Sequence, residues 1–134
     1  MTIPDKKLLV IDDDPGIRSQ LKWAFDDYEV HTAKNRLDAL SEFQKHQPSV
    51  VTLDLGLPPD EEGESEGFAI LTQIMQLAPD TKVVIVSGSE NPSNADKAVD
   101  SGAFEYFAKP VKPEQLKQVV ERAYQAYLLM KCKK

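Results

Sequence analysis

A doubly wound α/β domain, a five-stranded parallel sheet with helices on both faces, is what this sequence predicts. Three observations carry the prediction. Short apolar runs alternate with amphipathic stretches five times along 134 residues. Each pair occupies about 25 residues, the spacing of βα repeats. Four of the five apolar runs end in acidic, hydroxyl or basic residues, and a parallel sheet binds ligands at the carboxyl ends of its strands.

The strand-like runs are KLLVI (7–11), VVTLDL (50–55), VVIV (83–86) and FEYF (104–107), with YEVHTA (28–33) a weaker, edge-like one. Ile17, Leu21, Ala24 and Tyr28 recur at helical spacing and define a first helix. Asp14 is its expected cap, with Pro15 at the first helical position. Leu37, Leu40 and Phe43 mark a second helix; Phe68, Leu71, Ile74, Met75 and Leu77 mark a third. Pro48 and Pro79 stand where these two should have stopped. Residues 92–101 give a weak fourth helix. A long fifth follows from Pro113 past Leu128, with an inner stripe of Leu116, Val119, Val120, Ala123 and Tyr127. Tyr124, Leu128 and Met130 extend toward another side, the expected joint to a partner.

The totals fit one domain. Apolar residues make up 41% of the chain and charged residues 28%, ordinary for a globular protein. Sixteen basic against 22 acidic residues give net −6, with no electrostatic footprint for nucleic acid or an anionic membrane. The single cysteine, Cys132, permits no intrachain disulfide. With no apolar run of spanning length and no signal-type leader, a cytoplasmic location is expected.

With strand order 2-1-3-4-5, four strand ends converge on one crevice. They bring Asp12, Asp13 and Asp14, then Asp54, then Ser87 with Gly88, then Lys109 with Pro110. Three clustered carboxylates are unfavourable without a cation or protons. Oxygen donors of this kind suit Mg²⁺, which combines one or two carboxylates with water and phosphate oxygens. Lys109 adds a point charge and Ser87 a hydroxyl donor. Nucleophile, metal ligands and fixed donors together are the parts phosphoryl transfer needs. His31 and His46 have no ligand partner at metal spacing along the chain and read as surface or edge residues.

VIDDDPG, VTLDLGLP, VIVSGS and AFEYFAKP, in this order at these strand ends, resemble the receiver domain of two-component response regulators over residues 6–128. The resemblance implies a flavodoxin-like (βα)5 fold and a phosphorylation-activated switch rather than a turnover enzyme. It implies Asp54 as the phosphoacceptor, charged by a sensor histidine kinase with Mg²⁺ as cofactor. Asp13 would ligate the metal directly, Asp12 largely through water, and the Gly56 carbonyl would be the third protein ligand. Ser87 and Lys109 would hold the phosphoryl oxygens, Tyr106 would be the aromatic that changes rotamer, and Lys109–Pro110 would be cis. A homodimer on activation, through the fourth helix, fifth strand and fifth helix, is also expected.

The chain departs from the family pattern D-x-x-M-P-x-x-x-G after Asp54. Leu57 replaces the methionine, Pro59 follows Pro58, and twelve residues separate Asp54 from Gly67, about five more than usual. The extra length carries Asp60, Glu61, Glu62, Glu64 and Glu66, expected to form a solvated loop (58–66) away from the metal. This insertion, with QLKWAFDDYEV and SEGFAIL, resembles the response regulators associated with PEP-CTERM/exosortase systems, whose receiver precedes an ATPase and a DNA-binding domain. Residues 1–130 are therefore read as the receiver, and 131–134 as a tail leading to an output domain. Two rival readings are weaker. Haloacid-dehalogenase-type phosphatases need a second Asp two residues after the nucleophile, where this chain has Gly56. A docking-only pseudo-receiver has usually lost an acidic residue or the lysine, and this chain keeps both.

Overall fold

The computed structural model describes residues 6–59, 63–88 and 93–132. Its elements alternate as β1 (Lys7–Ile11), α1 (Pro15–Ala24), β2 (Glu29–Ala33), α2 (Arg36–His46), β3 (Val50–Leu53), α3 (Ser65–Leu77), β4 (Lys82–Ser87), α4 (Ser93–Asp100), β5 (Glu105–Ala108) and α5 (Pro113–Cys132). All four strand pairings are parallel, and the sheet order is β2-β1-β3-β4-β5. This is the flavodoxin-like order that the strand ends predict.

Two apolar layers account for the burial of alternate strand residues. Leu9, Ile11, Val51, Leu53, Val83 and Ile85 face α2, α3 and α4, where they meet Phe43, Phe68, Ile70, Leu71 and Ile74. Leu8, Val10, Val50 and Val84 face α1 and α5, against Leu21, Leu116, Val119, Val120 and Ala123. Continuous apolar runs are what strands buried on both faces require. Burying each such side chain contributes about 1.5–3 kcal/mol.

The helix boundaries follow local chemistry. The Asp14 carboxylate accepts from the backbone N–H of Gly16 (2.8 Å) and Ile17 (3.3 Å), capping α1 with Pro15 at its first position. Asn35 caps α2 by accepting from the Asp38 N–H at 2.8 Å. α2 closes at Gln47 in the left-handed conformation, one residue before Pro48.

Several sequence-based expectations need correction. Strand three stops at Leu53, so Asp54 lies just past the strand rather than within it. α1 ends at Ala24, and Tyr28 packs from the following turn. Leu37 is 83% exposed, because Ala39 and Phe43 form the inner stripe of α2. Leu77, at the last position of α3, is also exposed. Tyr124 is 2% exposed and belongs to the core, its ring edge-on to Tyr28 at 6.0 Å, while Tyr127 is only partly buried. The i, i+4 step from Val120 to Tyr124 continues the inner stripe, while Tyr127, four residues after Ala123 on the same side of the helix, lies beyond the last fully buried residues of α5. α3 begins at Ser65, inside the expected loop, and Glu66 pairs with Arg36 at 3.4 Å. Asp60, Glu61 and Glu62 lie outside the described residues. α5 continues through Lys131, which pairs with Asp80 at 3.7 Å. No helix among the described residues is long and apolar enough to cross a membrane.

Candidate functional site

The carboxyl edges of β1 and β3 deliver the acidic residues together. Their register pairs Ile11 with Leu53, so the residues that follow, Asp12 and Asp54, leave the sheet side by side. Backbone bonds fix both exits: the Asp54 N–H donates to Ile11 O at 2.9 Å, and the Asp12 N–H to Ala33 O at 3.0 Å. Asp12 and Asp54 are buried, Asp13 is half-buried, and a carboxylate oxygen from each lies within 4.8 Å of the others.

Lys109, just after β5, reaches across this cluster. Its Nζ donates to Asp12 Oδ2 at 3.0 Å and sits 3.4 Å from Asp54 Oδ2. The Lys109 N–H donates to the carbonyl of Ser87, itself 1% exposed, tying the ends of β5 and β4 together. The Lys109–Pro110 bond is cis, and so is Pro58–Pro59. The Gly56 N–H donates to Asp54 Oδ1 at 3.2 Å, wrapping the loop after β3 around the carboxylate. Tyr106 packs against the α3 side of the core; its hydroxyl is buried without a partner among the described residues.

One ammonium shared among three carboxylates leaves the cluster net negative. Burial pushes the Asp54 carboxyl up to about 6, with Asp12 adding to the rise against the opposing pull of Lys109 and the Gly56 N–H. Burial alone would lower Lys109, but Asp54 and Asp12 outweigh it and hold the ammonium above its ordinary value. Hard oxygen donors, a charge deficit and partial exposure at Asp13 fit a hydrated Mg²⁺.

Two features escaped the sequence reading. Arg18 donates from Nη1 to the Asp12 carbonyl at 2.7 Å, bracing the acidic turn from the first turns of α1. An Arg four residues after the helix cap was the available signal. His31 and His46 do have partners: their rings stack on each other, and each faces a glutamate.

A sheet of this order with an Asp-rich crevice, a strand-end Asp and a crossing Lys defines a phosphoacceptor-type signalling domain. The chain belongs to the response regulator receiver domain family, whose profile matches residues 8–121. It is 33% identical over 121 residues to the transcriptional regulatory protein KdpE of Staphylococcus aureus, covering 87% of this chain and 50% of KdpE. It is 30% identical over 120 residues to the chemotaxis protein CheY of Listeria monocytogenes, covering 87% of this chain and 97% of CheY. The crystal structure of NtrX from Brucella abortus in complex with ADP matches with a TM-score of 0.83 and 31% identity, over 96% of this chain and 28% of NtrX. The chain thus spans half of KdpE and about a quarter of NtrX. Receiver domains act as phosphoacceptor switches, not as turnover enzymes, and take their phosphoryl groups from sensor histidine kinases.

Proposed function

We propose that Asp54 accepts a phosphoryl group from a histidine kinase and that this chain is the receiver of a transcription-activating response regulator. The observation that carries the assignment is Lys109 Nζ lying between Asp12 Oδ2 and Asp54 Oδ2, at 3.0 and 3.4 Å, beside the Asp13 carboxylate. An Asp54 oxygen attacks the phosphorus of the phosphohistidine. The P–N bond breaks, the imidazole leaves, and an acyl phosphate forms. Lys109 then transfers its contact from Asp54 to a phosphoryl oxygen, stabilising charge without moving its backbone. Asp13, Asp54 and the Gly56 carbonyl would hold Mg²⁺, with Asp12 acting through water, and the bound ion would supply neutralisation of the charge gathered there. The same groups would serve hydrolysis of the acyl phosphate by the domain itself, in which water attacks the phosphorus and the Asp54 carboxylate leaves.

Ser87 and Tyr106 carry the readout. Ser87 closes on a phosphoryl oxygen from the end of β4, and the Tyr106 hydroxyl on neighbouring β5, without a partner among the described residues, takes up a new contact as the ring turns. The output face is α4, β5 and α5, where a phosphorylation-dependent homodimer forms; buried Tyr124 takes no part in it. Residues 1–130 make up the receiver, and the remainder leads to an output domain. The similarity to NtrX, which was solved in complex with ADP and of which this chain spans 28%, favours an ATPase-containing regulator. The inserted acidic loop favours the PEP-CTERM/exosortase-associated group, and membership of the receiver family favours a cytoplasmic setting. Intact-mass measurement after incubation with acetyl phosphate and Mg²⁺ tests the site. One phosphoryl adduct is expected, absent without Mg²⁺ and absent in Asp54→Asn. An equal adduct in that variant would overturn the assignment.

A further inference from the structure

Two histidines fifteen residues apart in sequence meet near the amino-terminal edge of the sheet, away from the Asp54 crevice. Glu29 and His31 are two residues apart on β2 and so project to one face of this edge strand. His46 is the last residue of α2, whose carboxyl end lies over that face; its carbonyl accepts from Lys7 Nζ at 3.4 Å at the start of β1. The two imidazoles stack with centroids 3.4 Å apart and planes 10° from parallel. His31 Nε2 sits 2.7 Å from Glu29 Oε2, and His46 Nε2 sits 3.7 Å from Glu42 Oε1 one turn earlier on α2.

One ligand atom from each of Glu29, His31 and His46 lies within 4.8 Å of the other two. Tetrahedral zinc, with bonds of 2.0–2.2 Å, separates its nitrogen and oxygen ligands by about 3.4 Å. The cluster therefore needs to close by about 1.4 Å at most, within reach of side-chain rotation. The side chains have room for it, being 21% exposed at each histidine and 52% at Glu29. The donor lone pair of each imidazole lies in its ring plane, so one ion is reached by both rings through side-chain rotation that opens the stack, and the flanking carboxylates balance its charge.

We propose that Glu29, His31 and His46 form a site for a borderline divalent transition metal of the Zn²⁺ type, with Glu42 placed to become the fourth ligand. Imidazole donors select Zn²⁺, Ni²⁺ or Cu²⁺ over Mg²⁺, so the site is chemically separate from the all-oxygen Asp cluster. Its position gives it a structural role. The ion ties the edge strand β2 to the end of α2 across the face they share.

Calorimetric titration of the 134-residue chain with Zn²⁺, at saturating Mg²⁺ to occupy the Asp cluster, tests the proposal. One equivalent of Zn²⁺ is expected to bind, with affinity at least tenfold lower in His31→Gln and in His46→Gln. Co²⁺ is expected to give the visible absorption of a four-coordinate ion, lost in both variants while their metal-free melting temperatures stay near that of the parent. Acetyl phosphate should load Asp54 equally in all three proteins. Absence of Zn²⁺ binding in the parent, or binding of undiminished affinity in the double His31→Gln/His46→Gln variant, would leave an ordinary hydrogen-bonded edge pair and overturn the proposal.

Discussion

Asp54 is kept in an environment that disfavours its own charge, and the consequence can be read in stability. Its folded-state value of about 6 stands above the ordinary 3.8, because burial outweighs Lys109. The folded protein thus holds a proton at Asp54 more tightly than the unfolded chain does. This contribution is fully present below about 4 and is lost as the pH rises through about 6. In chelator, without divalent ions, the parent should lose stability relative to Asp54→Asn between these values, and the gap should be largest above pH 6. Melting curves of the two proteins across pH 4–7 check this; parallel curves would contradict it. Thr52 makes a second case. It lies between Val10 and Val84 in the sheet, 3% exposed, and its hydroxyl has no hydrogen-bond partner among the described residues. It borders a cavity of about 240 Å³ walled by Ile17, Leu21, Val86 and Leu116. Replacing an unsatisfied buried hydroxyl with a methyl group removes a desolvation penalty, so Thr52→Val should stabilise the fold by about 1 kcal/mol. A denaturation midpoint that falls instead would mean the hydroxyl is satisfied in solution.

Among the elements, Gly67 shows how the long β3–α3 connection is held despite its length. A Cβ at this position would stand 2.4 Å from the Leu55 Cα and 3.0 Å from the Leu55 carbonyl oxygen, and the Gly67 N–H donates to that same oxygen at 3.3 Å. The first turn of α3 is therefore pressed, as a clamp, directly onto the backbone beside Asp54. Gly67→Ala cannot be absorbed by a side-chain rotation, and should cost about 1–3 kcal/mol. It should also slow phosphorylation of Asp54, since Leu55 and Gly56 shape the loop around it; unchanged stability and rate would deny the clamp. The sequence disclosed the elements well because each is bounded by strong local chemistry: Asp14–Pro15, Asn35, Pro48 and Pro79 sit at or next to helix ends. The Asp cluster, Ser87 and Lys109 were legible for a related reason, since a parallel sheet sends every strand end to the same edge. Side-chain orientation on helices was less so. Leu37 and Tyr124 differ in burial only because α2 and α5 rotate to satisfy Phe43 and Tyr28, partners contributed by packing rather than spacing. The His31–His46 stack was invisible for the same reason, being made by the end of a helix folding over a strand.

At the scale of the molecule, the sheet leaves the phosphorylation signal few routes out. One face is sealed by α2, α3 and α4 and the other by α1 and α5, with the central strands β1, β3 and β4 buried except at their first lysines, Lys7 and Lys82. The edge at β5 differs: its four residues are only partly buried or exposed, and the Tyr106 hydroxyl there has no partner among the described residues. Lys109 follows β5 directly and Ser87 pairs with Ala108 across the β4–β5 ladder, so any pull by a phosphoryl group is transmitted first to this edge. Val99 on neighbouring α4 is 57% exposed and offers apolar area without contributing to the core. A rearranged β5 that presents Val99 to a second copy would therefore favour association in the activated state. Sedimentation velocity with and without beryllofluoride should show self-association strengthened at least about tenfold by the phosphate mimic, equivalent to about 1.4 kcal/mol. Val99→Glu should abolish that gain while leaving both the melting temperature and acetyl phosphate loading of Asp54 near parental values, because an exposed position carries little of the fold. A strict monomer in both states at high concentration would exclude the dimer, and a dimer untouched by Val99→Glu would move the contact to another face.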